Sequence, residues 1–341
     1  MNIKKVADIA GVSIATVSNV IRGKQVVKEA TRQRVLKVIE ELNYTPNAVA
    51  QSLKARKTDT IGVLISDISN PFFSTIIRGI EDAAKESGYN VILCNTDEDY
   101  LKEQEYLDVL IRKQIDGLIF SPTGRKEAEE SLKKLVLPTV FIDRIPDYLD
   151  GFLVTSDNET SSYQAIKHLI SQRYEKIGII VGSLSISTTK ERLNGYLKCL
   201  REHHIPVKEE YIVAGHSRIN GGKSAMEQLL KLSNPPEAVF VTNSLMTLGA
   251  LDYLKTQKIC YPDDVALIGY QDQDWEADWT LITTPTITVV KQPTYKIGWK
   301  AAHHLIQHLA EEKQLHSERC ELPSTLMIRE SSQNPQTSKS L

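Results

Sequence analysis

Cysteine is scarce: Cys94, Cys199, Cys260 and Cys320 are the four in 341 residues, and no two form a CxxC pair. That spacing argues against a metal cluster or a disulfide framework and fits reduced thiols. Long apolar runs are missing too. None approaches the ~18 residues of a membrane span, and the N-terminus has no apolar segment followed by a small-residue cleavage site, so a cytoplasmic protein is expected. No nucleophile stands beside a base, and there is no glycine-rich phosphate loop. The sequence thus predicts a binding protein without a cofactor or metal, not an enzyme.

What is present begins with length and charge. A chain of 341 residues has room for two or three domains at ~100 to 200 residues each. The formal net charge is −2, but residues 1–60 hold eleven Lys/Arg against five Asp/Glu, a net +6, so the remainder carries −8. A basic head on an acidic body points to a polyanion-binding module, with a merely solvated basic face as the plainer alternative.

The stretch DIAGVSIATVSNVI, from Asp8 to Ile21, reads as two short helices about a glycine turn. Val6, Ile9 and Ala10 share one face, Gly11 stops the first helix, and Ser13 caps a second that carries Thr16, Val17, Val20 and Ile21. A third helix is predicted from Glu29 to Leu42, packing through Val35, Leu36, Val38, Ile39 and Leu42, with Asn43 and Pro46 ending it. Lys28 is a poor cap for it. Asn47 to Leu53 is too short to hold helix alone in water and should order only against a partner.

From Thr60 the pattern changes to short apolar strands alternating with amphipathic helices. Strands are predicted at Ile61–Ile65, Val91–Cys94, Gly117–Phe120, Thr139–Ile142 and Phe152–Thr155. The rhythm restarts with Ile177–Val181, Ile212–Val213, Ala238–Val241 and Val265–Ile268. The fold class is therefore α/β: an all-α head followed by two doubly wound subdomains with parallel sheets. A ligand site is expected at the carboxyl ends of the strands, between the subdomains. The tail SSQNPQTSKSL reads as disordered.

Several motifs in the same order resemble the lactose repressor (LacI) family of bacterial transcription regulators across residues 2–331. They are VADIAGVSIATVSNVI, TRQRVLKVIEELNYTPNAVAQSL, IGVLISDISNPFF, KQIDGLIF, FIDR, ERLNGY, LGAL and PDDVALIGY. The resemblance implies a helix-turn-helix domain at 1–46 and a hinge helix and linker at 47–59. It also implies an effector-binding and dimerisation body at 60–331, of periplasmic-binding-protein type, and a disordered tail at 332–341. Within the body, the first subdomain is expected at 60–157 and 289–318 and the second at 158–288 and 319–331.

It implies that the helix from Ser13 lies in the DNA major groove, with Ile14, Ala15 and Asn19 toward base edges and Thr16 and Ser18 on phosphates. Val17 and Val20 are expected in the core. Where many relatives carry Arg, this chain has Asn19, and Asn pairs best with adenine, so the preferred half-site should differ there. In the hinge, Leu53 matches a leucine that wedges between base pairs; Asn47 and Lys54 would lie along the DNA and Ala50 against the partner hinge. Effector-binding positions carried over are Asn70, Phe72, Phe73, Asp143, Arg144, Asp157, Arg192, Asn243 and Gln271. Plainer roles are open for two of them, Phe73 in the core and Asp157 as a helix cap.

Departures from the family pattern suggest the effector's charge. Gln271 and Ser244 stand where relatives often have Asp, and Ser217 where they often have an aromatic. With Arg218 and His216 near the mouth, an acidic or phosphorylated sugar-like metabolite is expected over a neutral sugar. Trp275 or Trp279 could replace the missing aromatic wall. His304 and His308 are spaced i, i+4 but read as surface histidines, and Asn158-Glu-Thr160 forms a sequon without meaning in a cytosolic chain.

The predicted function is a sequence-specific DNA-binding regulator, a repressor whose grip on a pseudo-palindromic double-stranded operator is switched by a small molecule. A homodimer is expected because two half-sites need two heads, and the tail has no leucine heptad helix to build a tetramer. Alternatives are a soluble sugar receptor, disfavoured by the head, and a catabolite-control regulator governed by a protein partner. His303 stands where that last type has a contacting Arg.

Overall fold

The computed structural model describes residues 2–21, 26–44, 57–272, 280–311 and 316–335. Asn47, Ala50, Leu53, Lys54, Trp275 and Trp279 lie outside the described residues. The chain divides into two units, residues 1–58 and 59–341.

The first unit holds α1 (Ile3–Ala10), α2 (Ile14–Ile21) and α3 (Glu29–Glu41). The Asn2 side chain starts α1 by accepting from the Lys5 amide, and Gly11 ends it at φ +61, a left-handed conformation that costs glycine nothing. Ser13 Oγ accepts from the Thr16 amide at 3.2 Å and starts α2. Lys28 precedes α3 with no side-chain cap. Val6, Ala7, Ala10, Val17, Val20, Val35, Val38 and Tyr44 form the core.

Two expected core residues are displaced. Ile9 is 53 % exposed and Leu36 42 %. At 100° per residue the buried stripe of α1 centres on Ala10, which puts Ile9 about 100° round the helix; Leu36 sits similarly off the Val35–Val38 stripe.

The second unit runs, in chain order, β1 (Thr60–Ile65), α4 (Pro71–Glu86), β2 (Asn90–Asn95), α5 (Tyr100–Arg112), β3 (Gly117–Phe120), α6 (Glu129–Lys133), β4 (Thr139–Ile142) and β5 (Phe152–Ser156). It continues with α7 (Asn158–Ser171), β6 (Ile177–Val181), α8 (Ser187–Glu202), β7 (Ile212–Ala214), α9 (Ile219–Leu230), β8 (Ala238–Val241), α10 (Ser244–Gln257) and β9 (Ala266–Gln271). Last come β10 (Thr288–Lys291), α11 (Thr294–Glu311), β11 (Glu318–Leu322) and β12 (Thr325–Met327).

The strands form two six-stranded sheets, ordered β11-β5-β4-β3-β1-β2 and β12-β10-β9-β8-β6-β7. All pairs are parallel except β10 with β12. Near-continuous burial along β1, β3, β5, β6, β8 and β9 is what a sheet covered on both faces requires. In each sheet the strand order reverses, between β1 and β3 and between β6 and β8, and a crevice opens at the carboxyl ends there.

The chain crosses between subdomains later than expected. β10 belongs to the second sheet, because Val290 and Val289 fill the apolar layers on its two faces. Then α11 and β11 join the first subdomain, and β12 returns to the second. The crossings after β5 therefore fall near 292–293 and 323–324, in place of 288–289 and 318–319. Gly79 on α4 and Gly298 on α11 let those helices touch backbone to backbone: a Cβ at Gly298 would run into the Ile76 carbonyl.

The tail expectation fails for residues 332–335. Ser331 and Ser332 are fully buried. Ser331 Oγ donates to the Leu267 carbonyl at 2.7 Å and accepts from the Thr288 amide at 2.8 Å, while Ser332 Oγ bonds His168 Nε2 at 2.8 Å. A polar composition does not show that such partners exist; residues 336–341 lie outside the described set.

Candidate functional site

In the first unit α2 presents one side to the core and the other outward. Val17 and Val20 are buried; Ile14 is 45 % exposed, Ala15 is exposed, and Thr16, Ser18 and Asn19 are half-buried. The Thr16 hydroxyl is 2.9 Å from that of Ser13, so one of the two donates to the other. The outward side of α2 thus offers an apolar edge flanked by hydroxyls and an amide, and its N-terminal backbone N–H groups favour an anion.

In the second unit a chamber lies where the carboxyl ends of the two sheets face each other. Its wall from the first subdomain includes Asn70, Phe72, Phe73, Glu98, Asp143 and Arg144. Asn70 caps α4, accepting from the Phe72 amide at 3.1 Å. The Phe72 and Phe73 rings meet edge to face, 5.1 Å between centroids, and both also belong to the core. Asp143 ends β4 at φ +66. The Arg144 guanidinium is buried and donates to Glu98 at 2.7 Å. Burial pushes the Asp143 carboxyl up to about 6, opposed by Arg144.

The facing wall is organised by Arg192, on α8. Its Nε donates to Asn158 Oδ1 at 2.8 Å, Nη1 to the Thr242 carbonyl at 2.6 Å and Nη2 to Gln292 Oε1 at 3.0 Å, with its plane 4.4 Å above the Tyr270 ring. Gln292 in turn donates to Asp272 at 2.5 Å, and Ser244 Oγ donates to the same carboxylate. Burial raises the Asp272 pKa, partly countered by Ser244 and Arg192. Asn243 caps α10 and lines the chamber beside them. The result is a rigid polar wall whose donors and acceptors suit the hydroxyls of a polyol.

The structure brings together Asn70, Phe72, Phe73, Asp143, Arg144, Arg192 and Asn243. Three other expected residues have different places. Asp157 caps α7 through the Thr160 amide at 3.0 Å. Gln271 is the buried last residue of β9, and its neighbour Asp272 lines the chamber instead. Arg218 is ion-paired across the cleft to Asp67.

Sequence reasoning missed Glu98, Asp272 and Gln292. The DQD run at 272–274 offered a carboxylate one residue beyond the position chosen. Both grounds for an anionic effector change accordingly. Of the two carboxylates expected to be lost, at positions 271 and 244, one is supplied by Asp272, and Arg218, expected near the mouth, is ion-paired to Asp67. Ser217 does line the chamber, at φ +54.

Beside this chamber is a second cavity of about 450 Å³ against about 70 Å³, with Arg144 and Ile186 in both walls. Elsewhere, His304 is half-buried and stacks on Phe152 at 3.6 Å, which corrects its reading as a surface residue. His303 stacks on Trp299 at 4.7 Å. Among the described residues no group of three or more His, Cys, Asp or Glu could hold a metal ion, and no helix is long and apolar enough to cross a membrane.

Comparison with known proteins places both units. Residues 2–47 match the family model described as bacterial regulatory proteins, lacI family. Residues 58–330 match that of periplasmic binding proteins and sugar binding domain of LacI family. The chain is 38 % identical over 324 residues to the probable HTH-type transcriptional regulator EndR of Paenibacillus polymyxa, covering 94 % of each chain. It is 35 % identical over 328 residues to the ribose operon repressor of Escherichia coli strain K12, covering 96 % of this chain and 98 % of the relative. Its fold is that of the lac repressor dimer crystallised with operator and the anti-inducer ONPF, at a TM-score of 0.86 and 24 % identity over 97 % of this chain and 99 % of the other.

Proposed function

The chain belongs to the LacI family of bacterial regulatory proteins, DNA-binding transcriptional regulators with an effector domain, and from that premise we propose how its parts divide the work. α2 reads the major groove through Ile14, Ala15 and Asn19, with Thr16 and Ser18 on phosphates. The hinge enters the minor groove with Leu53 as the wedge, supported by Asn47, Ala50 and Lys54. In the cytoplasm a small sugar-like effector, gripped between the two subdomains, sets whether the paired heads hold a pseudo-palindromic operator. The sign is repression.

The observation that carries the effector half is the Arg192–Gln292–Asp272 chain of hydrogen bonds, with Asn243 beside it, at the carboxyl ends of the second sheet. Three of the five N–H groups of Arg192 are spent on the protein, leaving two for a ligand. Glu98, Asp143 and Asp272 face Arg144 and Arg192, a balance that favours a neutral polyhydroxylated molecule over an anion.

The partner for dimerisation is a second copy of this chain. Ile68, Leu93 and Leu101 leave exposed apolar surface near the β2 edge, and Ile219 and Leu248 do so on α9 and α10. The Asp67–Arg218 ion pair brings the turn of Ile68 against the start of α9, which makes these patches neighbours. Two copies joined there would carry two heads for two half-sites.

The test titrates wild type and Leu53→Ala against a duplex enriched from random DNA, at one stated salt concentration, with sedimentation equilibrium at micromolar protein. A dimer whose specific, but not non-specific, binding is lost in Leu53→Ala is expected. A tetramer, or specific binding unchanged by the substitution, would contradict the assignment.

A further inference from the structure

The chain passes between the subdomains after β5, after β10 and after β11, and these crossings are tied to one another. The Asp157 amide donates to the Leu322 carbonyl at 2.9 Å, which joins the first crossing to the third. The Ser156 hydroxyl donates to Gln292 Oε1 at 2.7 Å, which joins the first to the second. Segments that absorb a change of hinge angle are thereby made to turn together.

Two consecutive residues of α8 reach this bundle from the second subdomain. Arg192 donates to Asn158, just past the first crossing, and to Gln292 at the second. Glu191 accepts from Asn158 Nδ2 at 2.9 Å through Oε2, and from Arg319 Nη2 at 2.7 Å through Oε1. Arg319 lies on β11, the strand that leads into the third crossing. Each buried amide is fixed at both ends: Asn158 between Arg192 and Glu191, Gln292 between Arg192 and Asp272. Neither can turn over without setting donor against donor and acceptor against acceptor.

Arg192 and Gln292 line the effector chamber, whereas Ser156, Glu191 and Arg319 stand outside its lining. We propose that the Ser156–Gln292 and Glu191–Arg319 contacts are the relay through which chamber occupancy sets the hinge, with Ser156, Glu191 and Arg319 as positioning residues that do not touch the effector. This rests on the effector role given to the cleft above, and it adds the side chains that carry its signal to the crossings. Arg319 is 41 % exposed, so its ion pair contributes little to folding and its removal reads coupling rather than stability.

The test titrates the full chain with a duplex enriched from random DNA, at one stated salt concentration, with and without each member of a panel of monosaccharides and their 6-phosphates. Calorimetry gives the affinity of the same sugar for the DNA-free protein. The factor by which a sugar changes the operator Kd, about 5–150-fold for coupling of this kind, should fall to about twofold or less in Arg319→Ala and in Ser156→Ala. The sugar's own Kd should move by less than about threefold. Arg319→Lys, which still reaches Glu191, should keep most of the factor. Lys176→Ala breaks a comparably exposed pair with Glu237 at the amino ends of the second sheet and should leave the factor unchanged. A full factor in Arg319→Ala and Ser156→Ala overturns the proposal and leaves the cleft's effector role intact. Loss of the sugar's binding along with the factor, or an equal loss in Lys176→Ala, overturns it in favour of a merely structural role. If no sugar in the panel changes the operator Kd of wild type, the cleft's role and this inference fall together.

Discussion

Replacing Arg192 with Ala should be among the most damaging single changes in the body, and the hydrogen-bond network says how. Arg192 is 8 % exposed, and its guanidinium serves three acceptors. Gln292 Oε1 would keep its bond from Ser156 Oγ at 2.7 Å, whose single proton leaves Asn158 Oδ1, 3.3 Å away, poorly served. The Thr242 carbonyl would lose its side-chain donor, at roughly 1–3 kcal/mol for a buried acceptor left unmade. The stack on Tyr270 adds ~0.5–2 kcal/mol. Asp272, already pushed up by burial, would lose a nearby cation and rise further. Together these give a loss of about 2–5 kcal/mol. Arg192→Lys keeps the charge without the planar fork and should lose roughly half of that. Urea unfolding followed by fluorescence reads both. A loss below about 1 kcal/mol in Arg192→Ala would refute the view that this guanidinium organises the wall.

Asp143 predicts a pH signature. Burial raises its folded pKa from 3.8 to about 6, so the folded form holds the proton more tightly than the unfolded chain. Its contribution, on the order of 3 kcal/mol, is full below pH ~4 and is lost as pH rises through about 6. Asp143→Asn should remove that slope from the urea midpoint between pH 4 and 6; an unchanged slope would contradict the assignment. In the head, Ser13→Ala should cost about 1 kcal/mol through the lost cap. Gly11→Ala should cost ~1–2 kcal/mol through the φ of +61. Both should show as earlier melting of the head in hydrogen exchange, and equal protection in variant and wild type would refute them. The Asp67–Arg218 pair has one side chain 52 % exposed, so a double-mutant cycle should give a stability coupling under about 1 kcal/mol; a coupling of several kcal/mol would show a far more desolvated contact.

The alternation of strands and helices was legible because a two-sided parallel sheet needs continuous apolar runs, and Gly117–Phe120 and Ile177–Val181 are such runs. The last three strands were not. β11 is an edge strand whose sequence ERCEL carries no apolar pattern, and β12, at the edge of the other sheet, is only three residues long. Their pairing is settled by tertiary contacts, and with it the point where the chain changes subdomain.

The site was legible where a residue stands inside a motif, as Arg192 does in ERLNGY and Asp143 in FIDR. It failed at Asp272 by one position, because the strand β9 extends three residues beyond its expected end and carries Gln271 inside. Glu98 and Gln292 lie outside any motif. They reach the chamber through a turn at φ +60 and a crossing segment, neither of which has a periodic signal.

The most direct test of the central claim, that α2 reads DNA sequence, is a selection of random duplexes on wild type and Asn19→Arg at one stated salt concentration. The account predicts a pseudo-palindrome for both proteins, with adenine favoured at one position of each half-site in wild type and guanine there in the variant. Enrichment of no sequence by wild type, or of the same sequence by both proteins, would contradict it.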